Sequence, residues 1–181
     1  MGVIQVNNAP IPTRFSGDDV RAACDAWGCN CGPAAIAAVL GLTLDELRPH
    51  LGDFERKRYT NPTMMWEILR SLRVSFSVQP MNPRWPPYGL ARIQWEGPWT
   101  APGVPVKARY RMTHWVGVAS EPARGTAIFD VNAMYMSRGW IALQHWEENL
   151  VPWILRECVP RANGKWHITH AVYLDRPEVR A

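Results

Sequence analysis

The chain has only four cysteines, and no apolar run in it approaches the roughly 20 residues of a membrane-spanning helix. The N-terminal sequence lacks the basic segment and apolar core of a secretory signal. These absences predict a protein of the reducing cytoplasm with no membrane partner. In that compartment free thiols are favoured over two disulfides. The cysteines are Cys24, Cys29, Cys31 and Cys158.

Lysine is scarce as well, since 17 of the 20 basic residues are arginines, and these are scattered along the chain. The net charge is +4, but proteins that bind nucleic acid usually carry a basic stripe or a known motif, so no nucleic-acid partner is predicted. Three of the cysteines and a distant histidine offer four zinc ligands. Their spacing matches no common zinc knuckle, and the sequence predicts neither a metal nor another cofactor.

No internal repeat and no low-complexity linker divides the chain. A length of 181 residues suffices for one domain with a substantial core and is short for two. The sequence therefore predicts a single domain over residues 1–181.

Helices are predicted in the first half of the chain. Residues 34–40 include no polar side chain, which is typical of a central helix covered on all sides, and Gly41 can end it in the left-handed conformation. Residues 43–46 (Thr-Leu-Asp-Glu) match a capping box and predict a short second helix. Asn61 and the proline after it predict a third helix, which runs to about Leu72.

Strands are predicted in the second half. Apolar and polar residues alternate over 74–78, as in a half-buried strand. The proline-rich segment 80–89 and the long segment 96–112 predict loops. Helices followed by an antiparallel sheet give an α+β fold. Further strands are predicted over 90–95, 114–119, 126–131, 139–143 and 166–174, and a helix over 146–156.

Cys31 lies at the start of the predicted central helix. Free amides and the positive end of the helix dipole stabilise a thiolate there, and a thiolate is the nucleophilic form of cysteine. Gly32 permits close approach of other atoms, and Pro33 fits the first turn. Cys31 is therefore a candidate nucleophile. The alternative is a small thiol packed at a helix end.

A cysteine nucleophile needs a base, normally a histidine that an acid or an amide orients. His114 opens the predicted strand 114–119. If this strand pairs with 126–131 around a turn centred on Pro122, His114 lies directly opposite Asp130, and the carboxylate can hold the imidazole. The alternatives are a strand-end histidine and an aspartate that caps a turn with Asn132. The weaker candidates are His50, His145, His167 and His170.

The order of these motifs resembles the papain-like cysteine peptidases, and most closely the bacterial peptidases that cleave bacteriocin precursors after double-glycine leaders. The motifs are Cys31-Gly-Pro-Ala-Ala, His114-Trp-Val-Gly-Val and Phe129-Asp130. The helices near residues 44–48 and 60–65 are also similar, so the resemblance extends from about 24 to 153. It implies a papain-like fold, in which the nucleophile lies on a central helix packed against an antiparallel sheet.

The resemblance also implies roles for the three residues. Cys31 is the nucleophile, His114 acts as general base and then acid, and Asp130 orients the imidazole. The expected reaction is hydrolysis of a peptide, isopeptide or related amide bond in a protein or peptide substrate, through a thioester and without a cofactor. The expected source is a bacterium or a phage.

Asp25 departs from the family pattern, in which a glutamine six residues before the nucleophile donates a hydrogen bond to the oxyanion. An ionised carboxylate only accepts hydrogen bonds and repels the developing negative charge. Losing one such donor typically costs about 3 kcal/mol of transition-state stabilisation. Candidate replacements are Asn30, the Trp27 indole and a protonated Asp25.

Two other functions remain open on the sequence. A transglutaminase-like enzyme also orders Cys, His and Asp, and would transfer the acyl group to an amine or deamidate a glutamine. A papain-like fold can also serve as a binding or inhibitory module. Asp25 favours the module, as do tryptophans in predicted loops, because exposed aromatic residues often anchor partners. These tryptophans are Trp85, Trp95 and Trp99.

Overall fold

The computed structural model describes residues 12–79 and 82–176. Helices and one antiparallel sheet make up an α+β fold, as predicted. The helices are α1 (Gly17–Trp27), α2 (Cys31–Leu40), α3 (Leu44–Leu47), α4 (Phe54–Lys57), α5 (Pro62–Ser71), α6 (Val106–Arg109), α7 (Met134–Ser137), α8 (Leu143–His145) and α9 (Val151–Glu157). The strands are β1 (Phe76–Gln79), β2 (Tyr88–Trp95), β3 (Thr113–Glu121), β4 (Gly125–Phe129), β5 (Trp140–Ala142) and β6 (Trp166–Leu174).

The caps read from the sequence form the helix ends. Asn30 caps α2, and Gly41 ends it in the left-handed conformation with φ 64°. Residues from Gly32 to Val39 are buried, so α2 is the central helix that the sequence predicts. Thr43 forms the capping box of α3, and Asn61 caps α5. The caps of α3 and α5 are hydrogen bonds between residues three positions apart, which is why the sequence predicts them. The Asn30 cap was not predicted.

Several predicted boundaries are wrong. The helix α1 was not predicted, although Ser16 and Asp19 form a capping box at its start. Strand β2 begins at Tyr88, inside the segment predicted to be a loop. The segment predicted as a loop over 96–112 contains α6 and a short 3-10 helix, Pro98–Thr100. Residues 80 and 81 of the other predicted loop lie outside the described residues.

The strands that the structure describes form one sheet in the order β1-β6-β2-β3-β4-β5, with every neighbouring pair antiparallel. The N-terminal helices cover one face of the sheet. There α2 packs mainly on β3 and also contacts β2 and β4. The chain from Trp146 to Ile154 packs on the opposite face. Because β2 is central and covered on both faces, all of its residues are buried.

The turn between β3 and β4 differs from the prediction by one residue. Glu121 pairs with Gly125, so the turn is centred on Ala123 rather than on Pro122. Gly125 has φ 77°, which is typical of a three-residue hairpin loop closed by a left-handed glycine. The correction moves the register by two residues. Side chains alternate with a period of two, so His114 and Asp130 still point to the same face of the sheet.

Candidate active site

Cys31 is the first residue of α2, and it is partly exposed. The side-chain oxygen of Asn30 accepts a hydrogen bond of 3.2 Å from the Gly32 N–H, which fixes the first turn. A Cβ at Gly32 would lie 2.3 Å from Thr60 Oγ1, so only glycine lets the Thr60 side chain pack against this turn. The thiol therefore stands at a rigid helix N-terminus that favours its ionised form.

His114 is the second residue of β3 and is 7% exposed. Its ring stacks on Trp95 with centroids 5.9 Å apart, and its Nε2 lies 2.9 Å from Asp130 Oδ2. With Nε2 engaged by the carboxylate, Nδ1 is the ring nitrogen left free, and Cys31 lines the same cavity as His114. The structure thus brings all three predicted residues together.

Asp130 follows the last residue of β4 and is fully buried. Oδ2 accepts hydrogen bonds from His114 and from Trp146 Nε1 at 2.8 Å. Oδ1 accepts from the backbone N–H and the side-chain amide of Asn132, both at 2.9 Å. One oxygen therefore contacts the imidazole while the other caps a turn. The contact with His114 and the turn cap with Asn132, given as alternatives on the sequence, are both present.

The charges of these residues support one another. Burial opposes ionisation of the Cys31 thiol, but the charge and hydrogen bond of His114 and the Trp115 backbone N–H outweigh it and lower the Cys31 pKa. Burial likewise opposes the imidazolium, yet Asp130 and the Cys31 thiolate raise the His114 pKa well above 6.5. Burial raises the Asp130 pKa. The contacts with His114, Trp146 and Asn132 lower it by more, so the net change is a decrease. These directions favour a thiolate beside an imidazolium.

The other thiols differ from Cys31. Cys29 is buried, and burial raises its pKa to about 12. Cys24 and Cys158 are exposed free thiols. Cys31 differs from Cys29 in that the charge and hydrogen bond of His114 lower its pKa.

Two cavities flank Cys31. The first, here called the Arg92 cavity, has a volume of about 810 Å³. The second, the Asp25 cavity, has a volume of about 520 Å³. Cys31 lines both of them. The Arg92 cavity is lined by Cys31, Thr60, Arg92, Thr113, Trp115 and His170 among others. The Asp25 cavity is lined by Cys24, Asp25, Cys31, His114, Asn132 and Tyr135 among others.

Of the candidate oxyanion donors, one has another hydrogen-bond partner and one is buried in the core. The side-chain amide of Asn30 donates to the Arg58 carbonyl at 3.0 Å. Trp27 is buried against Phe54. The Cys31 backbone N–H is one of the first amides of α2, which have no carbonyl partner within the helix, and it therefore offers one donor. Asp25 lines the cavity that also contains His114.

The tryptophans predicted to lie in loops are not exposed anchors. Trp95 ends β2 and is buried, while Trp85 and Trp99 are partly buried against the same core. Trp146 stacks on Trp95 with centroids 6.2 Å apart. In this aromatic cluster Trp95 contacts the His114 ring and Trp146 donates a hydrogen bond to Asp130. The sequence analysis missed the role of Trp146, because nothing local links an indole to a carboxylate 16 residues away.

The remaining histidines lie apart from the thiol, except His170, which lines the Arg92 cavity. His50, His145 and His167 are bonded at the surface to Ser71, Asn149 and Glu96. Within residues 12–79 and 82–176, no group of three or more His, Cys, Asp or Glu side chains is placed to hold a metal. Of the helices in these ranges, none has the length and apolar character that crossing a bilayer requires.

No protein-family model, curated protein or solved structure matches this chain.

Proposed function

We propose that this protein is a papain-like thiol hydrolase that cleaves a peptide, isopeptide or related amide bond. Cys31 is the nucleophile, His114 the general base and acid, and Asp130 the orienting group. The observation that carries the proposal is the buried hydrogen bond from His114 Nε2 to Asp130 Oδ2, with Cys31 lining the same cavity as His114. The four free thiols agree with the reducing cytoplasm that the sequence predicts.

The reaction follows from the charges at rest. The Cys31 thiolate attacks the amide carbon, and the carbonyl electrons move to oxygen, which the Cys31 backbone N–H faces. His114 then gives its proton to the departing amine nitrogen as the C–N bond breaks, and a thioester remains. Water attacks the thioester while His114 takes a proton from it. The C–S bond breaks, and a carboxylic acid and the thiolate are released.

Selective alkylation tests the proposal. Treatment with a limiting amount of iodoacetamide, followed by peptide mapping, is expected to label Cys31 faster than the exposed Cys24 and Cys158. His114→Gln should remove this preference, because the ring charge that lowers the Cys31 pKa is lost. The inflection of the Cys31 rate against pH should then move to higher pH, because burial and the Asp130 charge still oppose the thiolate while the His114 contribution is lost. Equal labelling of all three thiols in the unaltered protein would refute the proposal.

A binding module is the second candidate, and the position of Asp25 favours it. A carboxylate stands where the resembled family places an oxyanion donor, and it lines the same cavity as His114. Asp25→Gln separates the two functions. A hydrolase should gain amide cleavage by roughly tenfold to a hundredfold once a donor is supplied. A module without turnover should show no cleavage in either form.

Acyl transfer to an amine remains the third possibility, since the same thioester serves both outcomes. Cleavage in the presence and absence of an added primary amine distinguishes them. A hydrolase releases the free acid in both cases, whereas a transglutaminase-like enzyme forms the new amide when the amine is present.

A further inference from the structure

Arg92 carries a positive charge into the interior without a carboxylate partner. It lies on the central strand β2, is 6% exposed, and has no salt bridge in the described part of the chain. Its Nη2 donates to Thr113 Oγ1 at 3.2 Å, and its guanidinium carbon lies 5.6 Å from the ring centre of Tyr110. Its Nε is buried and finds no acceptor among these residues. Such a group is costly to bury unless something else completes its contacts.

The neighbours of Arg92 do not supply the missing charge. In the sheet, Arg92 pairs with Trp115 on one side and His170 on the other. Burial and the Arg92 charge both lower the His170 pKa, so this imidazole stays neutral at neutral pH. Arg58 and Arg111 add positive charge at the cavity wall, and none of the described residues that line the cavity is Asp or Glu.

A second polar group of the Arg92 cavity is also unpartnered. Thr60 Oγ1 is buried without a hydrogen-bond partner in the described structure, and it packs against the first turn of α2. The Arg92 Nε and Thr60 Oγ1 atoms are themselves covered, but both side chains line a cavity that Cys31 also lines. A guanidinium and a hydroxyl are complementary to a carboxylate, which accepts from both.

We propose that the Arg92 cavity is a subsite for a substrate carboxylate, adjacent to the amide carbon that Cys31 attacks. The inference rests on the proposed hydrolase function and names its substrate class, an acidic peptide. The carboxylate is that of an acidic side chain or of a chain end next to the scissile bond. The other cavity has a mixed lining, since Asp25 lies there together with Arg21 and Arg111, whereas the Arg92 cavity has arginines and no Asp or Glu among its described lining residues.

A pair of alkylating reagents tests this subsite without knowledge of the substrate. Iodoacetate carries the carboxylate and iodoacetamide is its neutral counterpart. In a Cys24→Ser, Cys158→Ser background, the ratio of the two rates at Cys31 should exceed that of free cysteine. Arg92→Met should lower the ratio roughly tenfold, as expected for removal of one nearby charge. Arg124→Gln, which removes an exposed arginine at the distant β3–β4 turn, should leave it unchanged.

Protection experiments on the unaltered protein identify the source of the carboxylate and do not depend on a variant folding. N-acetyl-aspartate amide presents a side-chain carboxylate, N-acetyl-alanine presents a chain-end carboxylate, and N-acetyl-asparagine amide is the neutral control. Slower iodoacetamide labelling of Cys31 by the first compound assigns an acidic side chain. Protection by the second compound assigns a chain end. Protection by neither, or equally by the neutral control, overturns the proposal.

The two proposals fail in different ways. If Arg92→Met slows both reagents equally, Arg92 stabilises the Cys31 thiolate and does not bind the carboxylate of the reagent. That result overturns the subsite. An unchanged ratio overturns it as well. Neither result affects the dependence of iodoacetamide labelling on His114, which is the test of the hydrolase. Conversely, a rate ratio that depends on Arg92 while labelling is independent of His114 would keep the anion site and refute the catalytic role.

Discussion

Asp130 and Arg92 each carry a charge into the interior, yet their surroundings differ. Asp130 accepts four hydrogen bonds from His114, Trp146 and Asn132. Arg92 makes one hydrogen bond and one contact with an aromatic ring, and its Nε has no acceptor in the described structure. A buried charge that its own chain satisfies belongs to the scaffold of the site. A buried charge that its own chain leaves unsatisfied indicates where a ligand completes the structure.

Asp130→Ala should break the first half of this comparison with the largest effect. It leaves the His114 imidazolium buried without its partner, and the free energy of unfolding should fall by about 3–5 kcal/mol. Urea unfolding followed by tryptophan fluorescence measures the loss. The control is Asp53→Ala, since Asp53 pairs with Arg56 at the surface and its removal should change stability little. Comparable effects of the two variants would contradict a central role for Asp130.

Trp146→Phe tests one donor of the Asp130 network. The substitution keeps an aromatic ring but removes the N–H that bonds Asp130 Oδ2, and we expect a loss of about 1–3 kcal/mol in the free energy of unfolding. Trp140→Phe is the matched control, because the buried Trp140 Nε1 has no partner in the described residues and its loss sacrifices no bond. If both variants lose the same stability, ring volume and not the hydrogen bond is responsible.

Acidic pH should remove the stabilisation that Asp130 contributes and leave the contribution of Arg92 unchanged. The folded-state pKa of Asp130 lies below its ordinary value of 3.8, so the unfolded chain takes up the proton first as the pH falls. The stabilisation is complete above 3.8 and is lost as the pH falls through the folded-state pKa, by up to about 1.4 kcal/mol per pH unit. Urea unfolding in steps of pH should show this slope, and Asp130→Asn should reduce it. An equal slope in the variant would assign it to other carboxylates.

Arg92→Met should have the smallest effect on stability, and in the opposite direction. Methionine keeps an unbranched apolar stem and removes an unsatisfied buried charge, while one hydrogen bond and the Tyr110 contact are lost. The free energy of unfolding should stay the same or rise by up to about 1 kcal/mol. The measurement is again urea unfolding. A loss as large as that of Asp130→Ala would show that Arg92 is part of the scaffold.

Local signals account for the parts of the fold that the sequence predicts well. The caps at Thr43 and Asn61 are hydrogen bonds between residues three positions apart, and they place the starts of α3 and α5. The α1 cap at Ser16 is the same signal, left unused. The predicted register of the β3–β4 hairpin is wrong because it places the centre of the turn at Pro122. Gly125, with its positive φ, indicates the centre at Ala123.

The candidate site was predicted only as far as its three central residues. His114 and Asp130 share a face for any register that shifts by two residues, so an error of that size left their contact intact. Arg92 gave no signal, because an arginine on an apparent strand is normally half-exposed. Its burial results from the two strands that flank β2 and from the helices above them.

By itself, the sequence determined where the principal helices begin, which strands alternate, and that a thiol stands at a helix N-terminus ahead of a histidine and an aspartate. These features depend on interactions between residues close together in the chain, so they can be predicted without the tertiary structure. Tertiary structure alone decided that Trp146 bonds Asp130, that Arg92 lies buried without a carboxylate, and that Asp25 and Arg92 line cavities on different sides of Cys31. Those features depend on contacts between residues far apart in sequence, which only the assembled sheet and its helices bring together.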